Sequence, residues 1–314
     1  MALSFSALRF SLSLLFLFAS IPNLFGEQSL PRIPLPSPVF FEGVDDSHVR
    51  DVTKWANEAE AWCATDRYEV FGKGEFGRVV IVRDVSVSLF KAVRFRLAED
   101  PPAERKRIYC FQAHVLGNEA PVPEGMIPQD ERASDYLKTG TTVYRVGGSK
   151  EAVEIPEFEV ARLGRGLPTF NPIVASHCGV DQTLNGGALE SPGTSFDKRC
   201  IRGTHQIGGY LHVLMEYGDG NLRLNYMATF LDGYPVQWDW VSVSKDEKFQ
   251  VWESTRTEWK DFGTDIKLPI KMHGVRTHRV RPGEFYFEFD WLLGENVSEG
   301  IFDKETIGKI DFVP

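Results

Sequence analysis

Residues 72–79 read Gly-Lys-Gly-Glu-Phe-Gly-Arg-Val, the spacing at which backbone N–H groups can wrap a chain of phosphates. Asp261-Phe262-Gly263 would add a carboxylate for the metal ion that such phosphates carry. Phosphoryl transfer also needs a base for the attacking hydroxyl, and no His-Arg-Asp string lies between Leu214-Met215-Glu216-Tyr217 and Asp261. The lysine that should follow the glycines on a strand is misplaced in Lys91-Ala92-Val93-Arg94. Other constellations are missing as well. The chain has no G-x-S-x-G elbow, no H-E-x-x-H pair and no dinucleotide fingerprint after a strand. Asp239, Glu253, Glu288 and Asp290 alternate as a solvent face would, and no pair stands out as general acid and base. No catalytic residue, no cofactor and no enzyme activity are expected.

The glycine run, the Leu214–Tyr217 segment and the DFG triplet fall in the order found in protein kinases. Only residues 264–314 follow the triplet, too few for a helical lobe, and they read as strands. The glycine run is expected to be a turn after a strand at Tyr68–Phe71, because glycine supplies permissive backbone. The triplet falls where a hairpin turn is wanted, after Trp259.

Thiol chemistry is the other option. The cysteines are Cys63, Cys110, Cys178 and Cys200. Cys178 and Cys200 bracket a segment rich in Gly, Asn and Ser, where a disulfide would restrict chain that has little core of its own. Four cysteines allow three pairings, so Cys178–Cys200 is one choice among them. His177 beside Cys178 and His205 near Cys200 would suit zinc, but the tight C-x₂₋₄-C spacing is absent and no metal is expected.

Residues 10–26 are an apolar run behind Arg9 and read as a secretory signal peptide spanning 1–26. The run is too short and wrongly flanked for a membrane span, and no second long apolar run follows. A periplasmic or secreted chain without a stable membrane span is therefore expected, and the cysteines fit that compartment. The formal net charge of −9 argues against nucleic acid as a partner. Arg276, His278, Arg279 and Arg281 read as a solvated hairpin tip.

The elements that would carry a site are strands. Trp238 and Trp240 alternate with Gln237 and Asp239, after which Val241 and Val243 are the apolar residues. One extra residue at Trp240-Val241 would be a β-bulge that flips the faces. Phe285, Phe287, Phe289 and Trp291 alternate with Tyr286, Glu288 and Asp290. This period of two marks half-buried strands. Turn residues at Asp219-Gly220-Asn221, Asp232-Gly233, Asp261–Gly263 and Pro282-Gly283 divide residues 209–291 into an antiparallel meander.

Upstream, residues 27–45 form a Pro-rich lead-in, and 46–314 form a single β-rich domain. Residues 46–62 carry a helix signal, with Asp46 or Ser47 as cap and Val49, Val52, Trp55, Ala56 and Ala59 on one face. Val85–Leu89, Val93–Leu97, Ile108–Val115 and Thr142–Val146 read as strands. Residues 117–138 and 163–206 read as loop insertions, the latter long enough to suggest a function.

Glu258-Trp259-Lys260-Asp261-Phe262 leads into Ile266-Lys267-Leu268-Pro269-Ile270-Lys271. Later strands close with Phe289-Asp290-Trp291, Glu295-Asn296-Val297 and Ile301-Phe302-Asp303. Over about residues 205–305 this resembles the LolA-like periplasmic lipoprotein carriers. The resemblance implies an α+β, mostly β fold: a strongly curved antiparallel sheet, an incomplete barrel, with helices covering its open side. It also implies an apolar groove for acyl chains, with a lipid or lipoprotein as partner.

Alternation alone nominates Trp238, Trp240, Phe285, Phe287 and Phe289 as a ligand lining. The expectation is a non-enzymatic protein holding a lipid, lipidated or other apolar ligand in the concave face. The alternative is a cell-envelope interaction protein whose sheet is filled by its own side chains. No oligomeric state is read from the sequence.

Overall fold

The computed structural model describes residues 30–41, 43–82, 85–116, 132–146, 152–156, 171–178, 196–217, 224–244, 248–277 and 283–309. The signal peptide expected at 1–26 lies outside them. Among the described residues, thirteen strands form one open antiparallel sheet, and two α-helices accompany it. Among the described residues no helix is long and apolar enough to cross a membrane.

The sheet is two meanders joined side by side. The first runs outward through β1 (Tyr68–Val82), β2 (Val85–Asp100), β3 (Arg105–Leu116), β4 (Arg132–Thr139), β5 (Thr142–Val146) and β6 (Ala152–Pro156). The second comprises β7 (Ile201–Ile207), β8 (Tyr210–Tyr217), β9 (Leu224–Leu231), β10 (Tyr234–Val243), β11 (Phe249–Lys260), β12 (Leu268–Arg276) and β13 (Gly283–Leu293). It runs inward until β13 pairs with β1, so β6 and β7 end at opposite edges.

The structure corrects the content expected for the 163–206 insertion. Part of it is helix α2 (Pro172–Cys178), and its end is β7. α2 packs under β10, β11 and β12 with Ile173 and Ala175 fully buried. Asn171 caps it, accepting from the Ile173 N–H at 2.9 Å, and donates to the Tyr68 hydroxyl at 2.9 Å. The 117–138 insertion is likewise shorter than expected, since 132–138 belong to β4.

Helix α1 (Asp46–Thr65) is where the apolar stripe predicts it. Val49, Val52, Trp55, Ala56 and Ala59 are buried, and Trp62 extends the stripe by a turn. The cap is Asp45, one residue earlier than expected, which accepts from the Ser47 N–H at 2.7 Å.

α1 also reports the curvature of the sheet. Trp55 meets Phe230 on β9 and Trp259 on β11 at ring-centroid distances of 6.1 and 6.0 Å. Trp62 meets Tyr68 on β1 at 4.9 Å and Trp291 on β13 at 6.1 Å. Along the helix the two indoles are separated by roughly 10 Å of rise. Strands β9 and β1 would be about 24 Å apart in a flat sheet. The sheet wraps around the helix, and the concave side becomes the main core.

Glycines make room inside that curve. Gly72 and Gly74 lie in the extended middle of β1, so the glycine run is strand and not the expected turn. A Cβ on Gly72 would stand 1.8 Å from the Phe95 ring, and one on Gly74 would stand 2.3 Å from the Phe287 ring. Gly274 on β12 leaves the same space for Phe285. Aromatic rings lie flat over bare backbone, and no open phosphate cradle is left. The DFG triplet is a turn after β11, as expected, with the Gly263 N–H donating to Asp261 Oδ1 at 2.7 Å and Gly263 at φ +78°.

The outer face is buried too. Residues 30–41 lie across β9 and β10, where Phe41 packs with Met227 and Val241. Residues 294–309 cover β2–β4, with Val297, Ile301, Phe302 and Ile307 packed on Ala98 and Leu137. This second cover corrects the expected flip of faces on β10. The register does shift at Trp240/Val241, but the extra residue is Trp252 on β11. β10 keeps alternating, and Val241 is apolar because Phe41 covers the outer face there. The same cover buries Asp239 completely, against the solvent-face reading, while Glu288 and Asp290 are exposed as expected.

Candidate functional site

The five aromatics singled out by alternation do not share one open groove. Phe285, Phe287 and Phe289 form a ladder on β13 with successive centroids 6.3 and 6.2 Å apart, all buried in the concave core. Trp238 is buried in the same core, stacked on Tyr226 at 5.2 Å and edge-on to Phe196 at 6.0 Å. Trp240 is half-buried and meets Trp252 at 6.4 Å. Packing of this kind leaves these rings little surface for a ligand.

A cleft of about 630 Å³ opens instead where α1 passes the turns at one end of the second meander. Three turns meet at that rim: Gly208-Gly209 between β7 and β8, Asp232-Gly233 between β9 and β10, and 261–267 between β11 and β12. Asp232 at φ 51° and Gly233 at φ 81° hold the left-handed conformations of a tight hairpin turn. Half-buried Leu211 of β8 and Tyr234 of β10 line it beside the buried Val52 and Trp55 of α1 and Phe230 of β9. The volume lies in the range of small-molecule sites.

The start of α1 is tied to the edge strand, which fixes the cleft's width. Thr204 Oγ1 accepts from the Asp45 N–H at 3.0 Å and lies 3.1 Å from His48 Nδ1. His48 Nε2 lies 3.3 Å from Gln206 Oε1. At the mouth stand the carboxylates of Asp51, Glu58, Asp232 and Asp265. Lys54 also lines it, 3.8 Å from Glu58. Lys267 sits over the Tyr234 ring, 4.9 Å from its centroid.

A second cleft, about 680 Å³, lies between residues 32–38 and Lys248-Phe249 on the outer face. Pro34, Pro36, Pro38, Leu35 and Phe249 are its apolar lining, and Arg32, Ser37 and Lys248 its polar one.

Among the described residues, no three His, Cys, Asp or Glu side chains are grouped closely enough to hold a metal ion. Cys63 is a core thiol beside Asn171, and burial pushes its pKa up to about 12. The Cys178 side chain lies outside the described residues, and with it the Cys178–Cys200 pairing.

Sequence reasoning placed the turn at Asp232-Gly233 and the helical stripe, but not the cleft that they border. The signal was the pairing of a helix face with hairpin tips far along the chain, which only the closed fold reveals.

Neither a family model nor a curated protein sequence matches the chain. Solved structures similar in fold include these two. One is a LolA superfamily protein from Nitrosomonas europaea, 10% identical, covering 81% of this chain and 98% of its own, with a TM-score of 0.38. The other is a DUF1329 family protein from Desulfovibrio piger, 8% identical, covering 82% of this chain and 99% of its own, with a TM-score of 0.34.

Proposed function

We propose that the chain is a non-enzymatic, exported protein, periplasmic or secreted, that binds a lipid, lipidated or other apolar ligand. The ligand's apolar part enters the cleft between α1 and the hairpin rim, at one end of the concave face. The observation that carries this reading is the cleft of about 630 Å³ beside α1, where Leu211 and Tyr234 keep partial exposure next to the buried side chains of Val52, Trp55 and Phe230. The apolar leader at 1–26 supports export.

A second reading has its own support. Phe285, Phe287, Phe289 and Trp238 are buried against the protein's own side chains. That favours a self-filled sheet acting as a cell-envelope interaction protein without a small ligand.

One experiment separates the two. The mature chain, made in an exporting host, is titrated with a fluorescent fatty-acid probe and examined by native mass spectrometry before and after lipid extraction. Probe uptake that weakens on Leu211→Arg, with co-purifying acyl species, is expected for the ligand-binding reading. A bare mass with no uptake overturns it and leaves the self-filled sheet.

A further inference from the structure

We infer that residues 30–38 are a detachable strap, and that the outer-face site under it, built on Gln237 and Asp239, takes the same segment from a second copy of this chain. The site lies on the opposite side of the sheet from the cleft beside α1 and stands independently of the ligand-binding reading.

The strap is held as a bound peptide is held. Pro31, Pro34, Pro36 and Pro38 have no N–H to give, so the segment cannot join a ladder. Among the described residues, Ile33 supplies the only backbone groups of 30–38 that bond to the sheet, and both go to the Gln237 amide. The Ile33 side chain is buried and Leu35 packs on the cluster of Phe41, Met227 and Val241, while Arg32 and Pro34 are exposed.

The fit is loose in two places. Asp239 is completely buried, yet its Oδ1 has no hydrogen bond among the described residues, and the Arg32 guanidinium stands 3.7 Å away. A cleft of about 680 Å³ remains between residues 32–38 and Lys248-Phe249. The site thus reads a cation followed by an apolar residue whose two backbone groups are free, and Arg32-Ile33 of any copy supplies that pattern.

Beyond the strap the chain is anchored. Phe41 is buried, and the Gly43 carbonyl accepts from the Thr204 N–H on β7 at 3.0 Å. Residues 30–38 are therefore free to leave while 41–45 stay in place. Extended, these proline-rich residues span roughly 28 Å, enough to reach a neighbouring copy. Exchange replaces each contact with an identical one, so only the concentration at which strap meets site changes. A short tether holds the strap at an effective concentration of roughly millimolar, so the wild-type chain should be monomeric in micromolar solution.

The test mixes two mature chains. One carries Arg32→Glu/Ile33→Pro, which removes the cation and the donated N–H and leaves the site intact. The other carries Gln237→Leu, which removes the clasp and leaves the strap intact; Gln237→Met takes its place should the leucine variant not fold. By native mass spectrometry and sedimentation each alone should be a monomer. Mixed, they should shift to a one-to-one dimer, which a synthetic peptide of residues 30–38 should dissociate.

Hydrogen exchange at 30–38 is measured on the same samples. Straps that exchange freely without a dimer would overturn the second-copy site. Straps that stay protected in both variants would overturn the detachability itself. A dimer formed by either variant alone, or one that the peptide leaves intact, would place the contact elsewhere and overturn the inference as well.

Discussion

The side chain of Gln237 on β10 pairs with the backbone of Ile33 as a second strand would. The Ile33 N–H donates to Oε1 at 2.7 Å, and Nε2 donates to the Ile33 carbonyl at 3.0 Å. Nε2 also donates to Asp239 Oδ2 at 2.6 Å. A single amide thus satisfies a stretch of lead-in that has no strand partner of its own. Buried backbone polar groups need such partners.

Gln237→Leu should release the lead-in. The lost bonds leave a buried N–H and C=O unmet, at a cost of about 1–3 kcal/mol each unless the segment peels away into water. Hydrogen exchange and limited proteolysis at 30–41 should rise while α1 stays protected. Unchanged protection at 30–41 would mean that Phe41 packing alone holds the segment.

Acid stability should show two opposed buried groups. Burial raises Asp239 from 3.8 to about 6 and lowers His212 from 6.5 to about 4. Between pH 4 and 6 the folded Asp239 keeps a proton that the unfolded chain has lost, so its contribution to stability falls as pH rises. The unfolded His212 holds a proton that the folded one lacks, so its contribution rises with pH. Each amounts to about 3 kcal/mol across the window, and together they nearly cancel. Asp239→Asn should therefore expose a stability that climbs from pH 4 to 6, and His212→Gln one that declines. Denaturant midpoints measured at several pH values check both slopes. Parallel profiles in wild type and variants would count against the burial of these groups.

The glycine slots make a graded prediction. At Gly72 the atoms nearest a new methyl group all belong to the Phe95 ring, whereas at Gly74 they include both the Phe287 ring and the Tyr286 carbonyl. Gly72→Ala and Gly74→Ala should each destabilise by about 1–3 kcal/mol through overpacking. Adding Phe95→Leu should recover part of the loss at 72. Adding Phe287→Leu should not recover it at 74, because the obstacle there includes backbone. Thermal melts of the four variants decide the point.

The C-terminal cover hangs on a buried ion pair. Arg107 Nε and Nη2 meet the two oxygens of Asp135 at 2.6 and 2.7 Å, and Asp135 accepts from the Gly308 N–H at 2.7 Å. Arg107 also donates to the Thr306 carbonyl at 3.2 Å. Arg107→Met should cost about 3–5 kcal/mol, since it strands a buried carboxylate. Arg107→Met/Asp135→Leu should regain much of that. Urea unfolding of both variants measures the difference, and equal losses would show that the tail, not the stranded charge, dominates.

Local chemistry made much of the fold legible. Side-chain alternation marked β10 and β13, the apolar stripe marked α1, and Asp-Gly and Asp-Phe-Gly marked their turns. Each of these signals lies within a few residues, where backbone geometry alone sets the pattern. What failed were the inferences that depend on which face gets covered. Asp239 looked solvent-facing because nothing nearby in sequence says that Arg32 and Ile33 will lie against it. Gly72 and Gly74 looked like a turn because the Phe95 and Phe287 rings that need their space sit on other strands.

The sequence by itself therefore determined the element types and the antiparallel character, both consequences of short-range periodicity. Only the tertiary structure decided that the aromatic ladder is core and that a cleft opens between α1 and the hairpin rim. That outcome depends on how far the sheet curls around α1. Curvature is set by contacts between residues such as Trp62 and Trp291, far apart in the chain and adjacent only once it has folded.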